Sequence, residues 1–222
     1  MIINGKPFVY TFTNVNTYDI CPRQMYARYV AKSVPFKSTP EMEFGNKVHT
    51  AFELRVGGGK PLPADMNQWE PFCAPLDGLM PRVEVKMGIT RDGRPTGFYD
   101  NDVFFRGKAD VIVIQATAAF LPDWKTGKCR EEPFELETNA MLTHVANPYL
   151  TSMTGAYVWL KENRMGMPHN LSNTSGTWTY LNRKIAAIEN SMQTNDWPEK
   201  KTPLCAWCDD FSCPHNKNPK KP

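Results

Sequence analysis

The chain has 222 residues, 41% of them hydrophobic and 22% charged. That excludes a disordered chain and fits one packed core with room for a small appended module. Its 26 basic and 23 acidic residues leave a net charge of +3, too mild to single out a polyanionic partner, which must be argued from local groups.

No apolar run approaches membrane-span length, and the opening MIINGKPFVY lacks a signal-peptide layout. The sequence therefore reads as cytoplasmic, with no membrane partner. It shows no repeat, and the closing NKNPKKP reads as a frayed basic tail. Near the start, Thr13 or Asn14 is expected to cap a helix containing Val15, Tyr18 and Ile20. Pro22 opens a second helix with Met25, Tyr26, Tyr29 and Val30 on its apolar face. Cys21 lies between them and, taken alone, is a small buried hydrophobe. Ser38 and Glu41 form a capping box ahead of a third helix, whose core stripe is Phe44, Val48 and Phe52 and which Gly57, Gly58 and Gly59 stop. Gly45, His49 and Glu53 share another face of it. Residues 60–80, rich in proline and poorly periodic, read as a loop.

PRVEVKMGI alternates as a strand, with Val83, Val85 and Met87 one way and Glu84 and Lys86 the other. Turn signals and a further strand follow. The stretch from Arg106 to Lys128 then predicts two buried strands joined by a short turn, VIVI before it and AAFL after it. Asp110 belongs to the first strand. Asp123 and Lys125 end the second and share one face of it, with Trp124 on the other. Carboxylates in buried strands need a partner, and hard oxygen ligands suit Mg²⁺ or Mn²⁺. Such a cation would acidify a bound water and offset charge on a phosphate, with Lys125 beside it and the Trp124 carbonyl as a third protein ligand.

Residues 131–150 predict a helix with Leu136, Ala140, Met141 and Val145 inward. TSMTGAYVWLK reads as a strand, and a last helix turns Leu181, Ile185, Ile188 and Met192 inward. Trp159 and Trp178 read as core, while Arg183 and Lys184 are candidates for contacts to a DNA backbone. Cys205, Cys208 and Cys213 are spaced C-x-x-C-x4-C, with His215 close behind, and in a cytosolic protein such a cluster is more often a metal site than a disulfide framework. These elements predict an α/β fold: a central mixed β-sheet flanked by helices, one domain over 1–222, with a Cys-rich metal-binding module from 14–30 and 203–215.

GKAD, followed thirteen residues later by DWKTGK, resembles the core of the PD-(D/E)XK nuclease superfamily, in particular its RecB-like and CRISPR-associated exonuclease branch, which includes small phage nucleases. Gly107, Asp110, Asp123, Lys125, Thr126 and Gly127 match the pattern. The resemblance implies a restriction-endonuclease-like core and a Mg²⁺- or Mn²⁺-dependent deoxyribonuclease, an exonuclease on single- or double-stranded DNA ends in recombination, repair or phage DNA metabolism, with a recombination or helicase partner. It gives His49 the place of a metal-approaching histidine. Glu84 either matches the glutamate that precedes the metal motif or is an outward strand carboxylate. Glu135 stands where the family carries Gln and Asn139 where a Tyr falls, both departures; Glu135 remains a candidate catalytic residue, contacting metal through a water or orienting Lys125. Relatives also hold an iron–sulfur cluster on one early and three late cysteines, which maps a 4Fe-4S site onto Cys21, Cys205, Cys208 and Cys213, whereas zinc would take the three late cysteines with His215. The alternatives are a nucleic-acid-binding subunit that keeps the fold with weak or no catalysis, and a zinc-ribbon interaction protein.

Overall fold

The computed structural model describes residues 2–3 and 5–217, so the basic tail beyond Lys217 lies outside the described residues. The chain opens with a small hairpin, β1 (Ile2–Ile3) against β2 (Lys6–Pro7), then α1 (Phe12–Ile20) and α2 (Pro22–Met25), which continues in wider π-helical turns to Val30. Next come α3 (Pro40–Gly58), α4 (Glu70–Cys73), β3 (Arg82–Ile89), β4 (Pro95–Thr96), β5 (Phe105–Gln115), β6 (Ala118–Lys125), α5 (Phe134–Ala146), β7 (Ser152–Trp159), β8 (Arg164–Met165), β9 (His169–Asn170) and α6 (Thr174–Thr194). Two compact units result, Met1–Lys37 with Tyr180–Pro222, and Ser38–Thr179. No described helix is long and apolar enough to cross a membrane.

The larger unit is a seven-stranded mixed sheet flanked by helices, as the sequence predicts. The strand order is β4-β3-β5-β6-β7-β8, with β9 also on β7. Only β6 and β7 run parallel; the other pairs are antiparallel. α5 makes the crossover between the parallel strands, as parallel neighbours require. Val48 and Phe52 of α3 join Val111, Val113, Trp124 and Val158 of the sheet in one core. The Phe52 ring lies 4.8 Å from that of Trp124 and 6.1 Å from that of Trp69. α5 packs so closely on β5 that a Cβ at Gly107 would stand 2.8 Å from Asn139 and Leu142 atoms. The glycine of GKAD is thus a packing requirement.

Several expectations change. Residues 60–80 are no plain loop: short helical turns at Ala64–Trp69, α4 and Ala74–Leu76 bury Met66, Trp69, Cys73 and Leu76 in the core. Three-residue 3₁₀ turns studded with proline do not show the 3.6-residue period that reveals a helix. Phe44 is 43% exposed, and the α3 stripe is Val48, Ala51, Phe52 and Val56. The caps are Thr39, whose hydroxyl accepts from the Met42 N–H (3.3 Å), and Thr11, which forms a capping box with Asn14. α5 buries Leu142 rather than Val145, which is half-buried, and Trp178 and Met192 are also half-buried.

In the smaller unit, α1 and α2 lie with the later part of α6 and the closing Cys segment. Tyr18 Oη shares a hydrogen bond with Ser191 (2.8 Å). The Arg23 guanidinium binds three points of the closing segment: Asp210 (2.8 Å), Glu199 (2.9 Å) and Ser212 (2.9 Å). Asp210 is buried, and although burial opposes it, the bonds from Ser212 and Arg23 hold its carboxyl below the ordinary range.

Candidate metal centre

β5 and β6 are hydrogen-bonded only beside their turn, from Gln115↔Ala118 to Val113↔Phe120. Beyond that point they part. Continuing the register sets Asp110 opposite Asp123, and the Asp110 side chain takes the place of a ladder bond, its Oδ2 accepting the Trp124 N–H at 2.8 Å. A strand residue sends its N–H and C=O to the same edge, so the Trp124 carbonyl is directed toward the same gap. The Trp124 ring is buried in the core.

Five elements bring side chains to this gap. α3 supplies His49, whose Nδ1 lies 3.2 Å from Asp110 Oδ1 and 3.8 Å from Glu84 Oε1. β3 supplies Glu84, held in the left-handed region (φ 51°) in mid-strand. A non-glycine residue there costs on the order of 1–3 kcal/mol, and such strain collects at functional sites. β5 supplies Asp110, together with Lys108, which pairs with Glu84. β6 supplies Asp123 and Lys125. α5 supplies Glu135. The Lys125 ammonium stands 2.7 Å from Asp123 Oδ2 and 2.7 Å from Glu135 Oε2. His49, Asp110, Asp123, Lys125 and Glu135 therefore line one cleft, along with Glu84, Glu53 and Lys108.

Two observations fit a cation. The ligand atoms of His49, Glu84 and Asp110 lie within 4.8 Å of one another. Asp123 Oδ2 is buried and meets the Lys125 ammonium at 2.7 Å, which leaves a further lone pair facing the cleft. A carboxylate so placed can share its charge with a cation. The charges of the site are strongly coupled. Burial opposes the charged His49 imidazole, but its bonds to Asp110 and Glu84 outweigh that and raise it to about 10. Burial likewise opposes the Glu84 carboxylate, yet His49 and Lys108 hold it below the ordinary range. Burial pushes the Asp123 carboxyl upward against the pull of Lys125. Asp123 and Glu135 overcome burial to hold Lys125 firmly as an ammonium.

Sequence reasoning left Glu84 between two readings and passed over Lys108 and Tyr157. The Tyr157 ring lies under Lys125, 5.3 Å from its Nζ, and its hydroxyl donates to the Glu132 carbonyl at 2.8 Å. Parallel pairing sets Asp123 opposite Tyr157, a cross-strand relation invisible in a linear motif. Asn139 is buried behind β5. Arg183 and Lys184 lie on the part of α6 in the smaller unit, where Arg183 is 5.0 Å from the Tyr180 ring centre and Lys184 pairs with Asp19. In that unit Cys21, Cys205, Cys208 and Cys213 line one cavity, of which His215 is not a lining residue. No three of these thiols come within 4.8 Å of one another. Cys73 is a core thiol that burial pushes up to about 12, and Cys129 lies 2.9 Å from Arg164.

No family model matches the sequence, and no curated protein matches it. Solved structures share its fold. The structure of SSO0001 has a TM-score of 0.54 at 13% identity, covering 94% of this chain and 87% of its own. That of a candidate exonuclease from Eubacterium rectale has a TM-score of 0.57 at 12% identity, covering 97% and 90%.

The raised His49 pKa makes a stability prediction for the metal-free protein. A cationic group lifted from 6.5 to about 10 on folding contributes stability that is complete below 6.5 and lost as the pH climbs through 10. Urea unfolding of the metal-free protein should therefore show a decline across that window, at most on the order of 5 kcal/mol. His49→Gln should flatten that part of the curve, and superimposable curves would contradict the ion pairs assigned to His49.

Proposed function

We propose that the chain is a Mg²⁺- or Mn²⁺-dependent deoxyribonuclease of the PD-(D/E)XK kind, an exonuclease on DNA ends in the cytoplasm of a bacterial or phage-infected cell. The observation that carries this reading is the gap between β5 and β6. It gathers His49, Glu84 and Asp110, whose ligand atoms lie within 4.8 Å of one another, in one cleft with the buried Asp123. The neighbour described as a candidate exonuclease supports it at the level of fold.

In this reading His49, Glu84, Asp110, Asp123 and the Trp124 carbonyl hold the cation. Bound there, a divalent cation supplies a water of lowered pKa and neutralises phosphate charge. Paired to Asp123 and Glu135, Lys125 is held as an ammonium. It orients the attacking water and offsets charge on the phosphate, while Glu135 and the Tyr157 ring fix its position. Glu135 is thus a positioning residue. End-labelled linear DNA, single- and double-stranded, and closed circles incubated with Mg²⁺ or Mn²⁺ test the reading. Linear DNA should be degraded only with metal, and circles should survive. Asp110→Ala, Asp123→Ala and Lys125→Ala should each lose at least about a hundredfold in rate while staying folded. Cleavage by Asp123→Ala at the wild-type rate would remove the assignment.

The cysteine cavity is proposed to hold a 4Fe-4S cluster on Cys21, Cys205, Cys208 and Cys213, a structural staple for the smaller unit. Anaerobically purified protein should be brown, and Cys21→Ser should lose the colour and much of the thermal stability. Colourless protein with one zinc, retained by Cys21→Ser, would overturn the cluster.

A further inference from the structure

We propose that a single-stranded nucleic acid runs from the metal centre along the β3–β5 ladder, its phosphates on Lys108, Lys86 and Arg106 and a base stacked on Tyr99. This path rests on the nuclease reading above. The register carries it: Val83 pairs Val111, Val85 pairs Ala109, Lys86 pairs Lys108 and Gly88 pairs Arg106. Opposite residues of an antiparallel pair share a face. One face therefore carries, outward from the cleft, Glu84 with Asp110, then Lys86 with Lys108, then Gly88 with Arg106. Each step of two residues is about 6.6 Å, so the cations extend roughly 13 Å from Asp110.

The charge along this row has no internal explanation. Two lysines directly across a ladder repel each other. Lys108 is engaged by Glu84, but among the described residues Lys86 and Arg106 form no salt bridge. Both instead meet the aromatic pair, Lys86 also donating to the Tyr99 hydroxyl at 3.2 Å. Lys86 Nζ is 5.3 Å from the Tyr99 ring centre and 6.0 Å from that of Phe98. The Arg106 guanidinium is 4.5 Å from the Phe98 ring centre and 5.8 Å from that of Tyr99. The loop bearing the rings is held against the ladder: Arg106 donates to the Phe98 carbonyl at 3.0 Å, and a Cβ at Gly88 would meet the Thr96 and Gly97 carbonyls at 3.0 Å. The acids of this loop, Asp100 and Asp102, are taken up by the Thr96 hydroxyl, with Asp100 also accepting the Gly97 N–H.

Tyr99 nevertheless remains 73% exposed. An exposed ring flanked by cations that have no carboxylate partner, at a fixed distance from a phosphate-cleaving centre, matches how unpaired bases are held: backbone on charge, base on ring. Duplex bases are already stacked and gain nothing from Tyr99, which selects a single strand.

The test is fluorescence anisotropy with labelled oligothymidylate and a blunt duplex of equal length, Ca²⁺ being supplied to neutralise the carboxylates. Tyr99→Ala should weaken single-strand binding roughly 5- to 100-fold and Tyr99→Phe hardly at all. Lys86→Ala should lower the slope of log K against log salt by about 0.7. Duplex binding should barely respond to Tyr99→Ala. If wild-type protein degrades DNA with Mg²⁺ while Tyr99→Ala and Lys86→Ala bind the single strand as it does, the path is wrong and the nuclease reading stands. An equal loss for duplex and single strand, or a loss accompanied by a lowered melting temperature, would make Tyr99 a pin for its loop and overturn the stacking. Wild-type protein that neither binds nor cuts either form would remove both proposals.

Discussion

The larger unit depends on holding two buried carboxylates, Asp110 and Asp123, in a single gap of a sheet. Charges taken out of water cost several kcal/mol each unless paired. The fold meets that cost with a backbone N–H and an imidazolium on Asp110 and an ammonium on Asp123. The geometry follows from it. β5 and β6 must stop pairing at Val113 and Phe120 to leave room, and α3 must pass close enough for His49 to reach Asp110. Gly45 permits the approach, since a Cβ there would already press on the Thr126 hydroxyl at 3.2 Å.

Two lysines of this neighbourhood serve opposite ends of the balance. Lys125 is clamped between Asp123 and Glu135 over the Tyr157 ring, so its position is fixed more tightly than that of a surface lysine, whose side chain samples many rotamers. Lys108 is tied to Glu84, which also faces His49. Any cation that draws on Glu84 loosens its hold on Lys108 and returns a positive charge to the β3–β5 face. The acidic centre and the cationic row beside it are in this way electrostatically linked.

Much of this arrangement was legible in the sequence because it lies in short-range patterns. VIVI and AAFL mark buried strands, and a two-residue period sets Asp123 with Lys125. A four-residue step marks His49. What escaped was set by tertiary pairing or by geometry without a period. The helical turns of 64–76 carry core residues at 3₁₀ spacing among prolines. Phe44 fits a helical stripe but lies on an exposed turn of α3. Glu84 gains its place from a left-handed backbone that no propensity predicts, and Tyr157 and the Lys86–Lys108 pair from strand register. The early cysteine could be grouped with the late three only through a resemblance, since nearly the whole chain separates residues that line one cavity.

If the gap between β5 and β6 holds a divalent cation as proposed, that cation displaces the proton that the Asp110 and Glu84 carboxylates favour on His49. Calorimetric titration of metal-free protein with Mn²⁺ near pH 7, in two buffers of different ionisation enthalpy, tests it most directly. The account predicts saturable binding that releases protons, with the release diminished in His49→Gln and the affinity collapsed in Asp110→Ala and Asp123→Ala. Mn²⁺ binding with no proton release, or binding that survives loss of both aspartates, would contradict it.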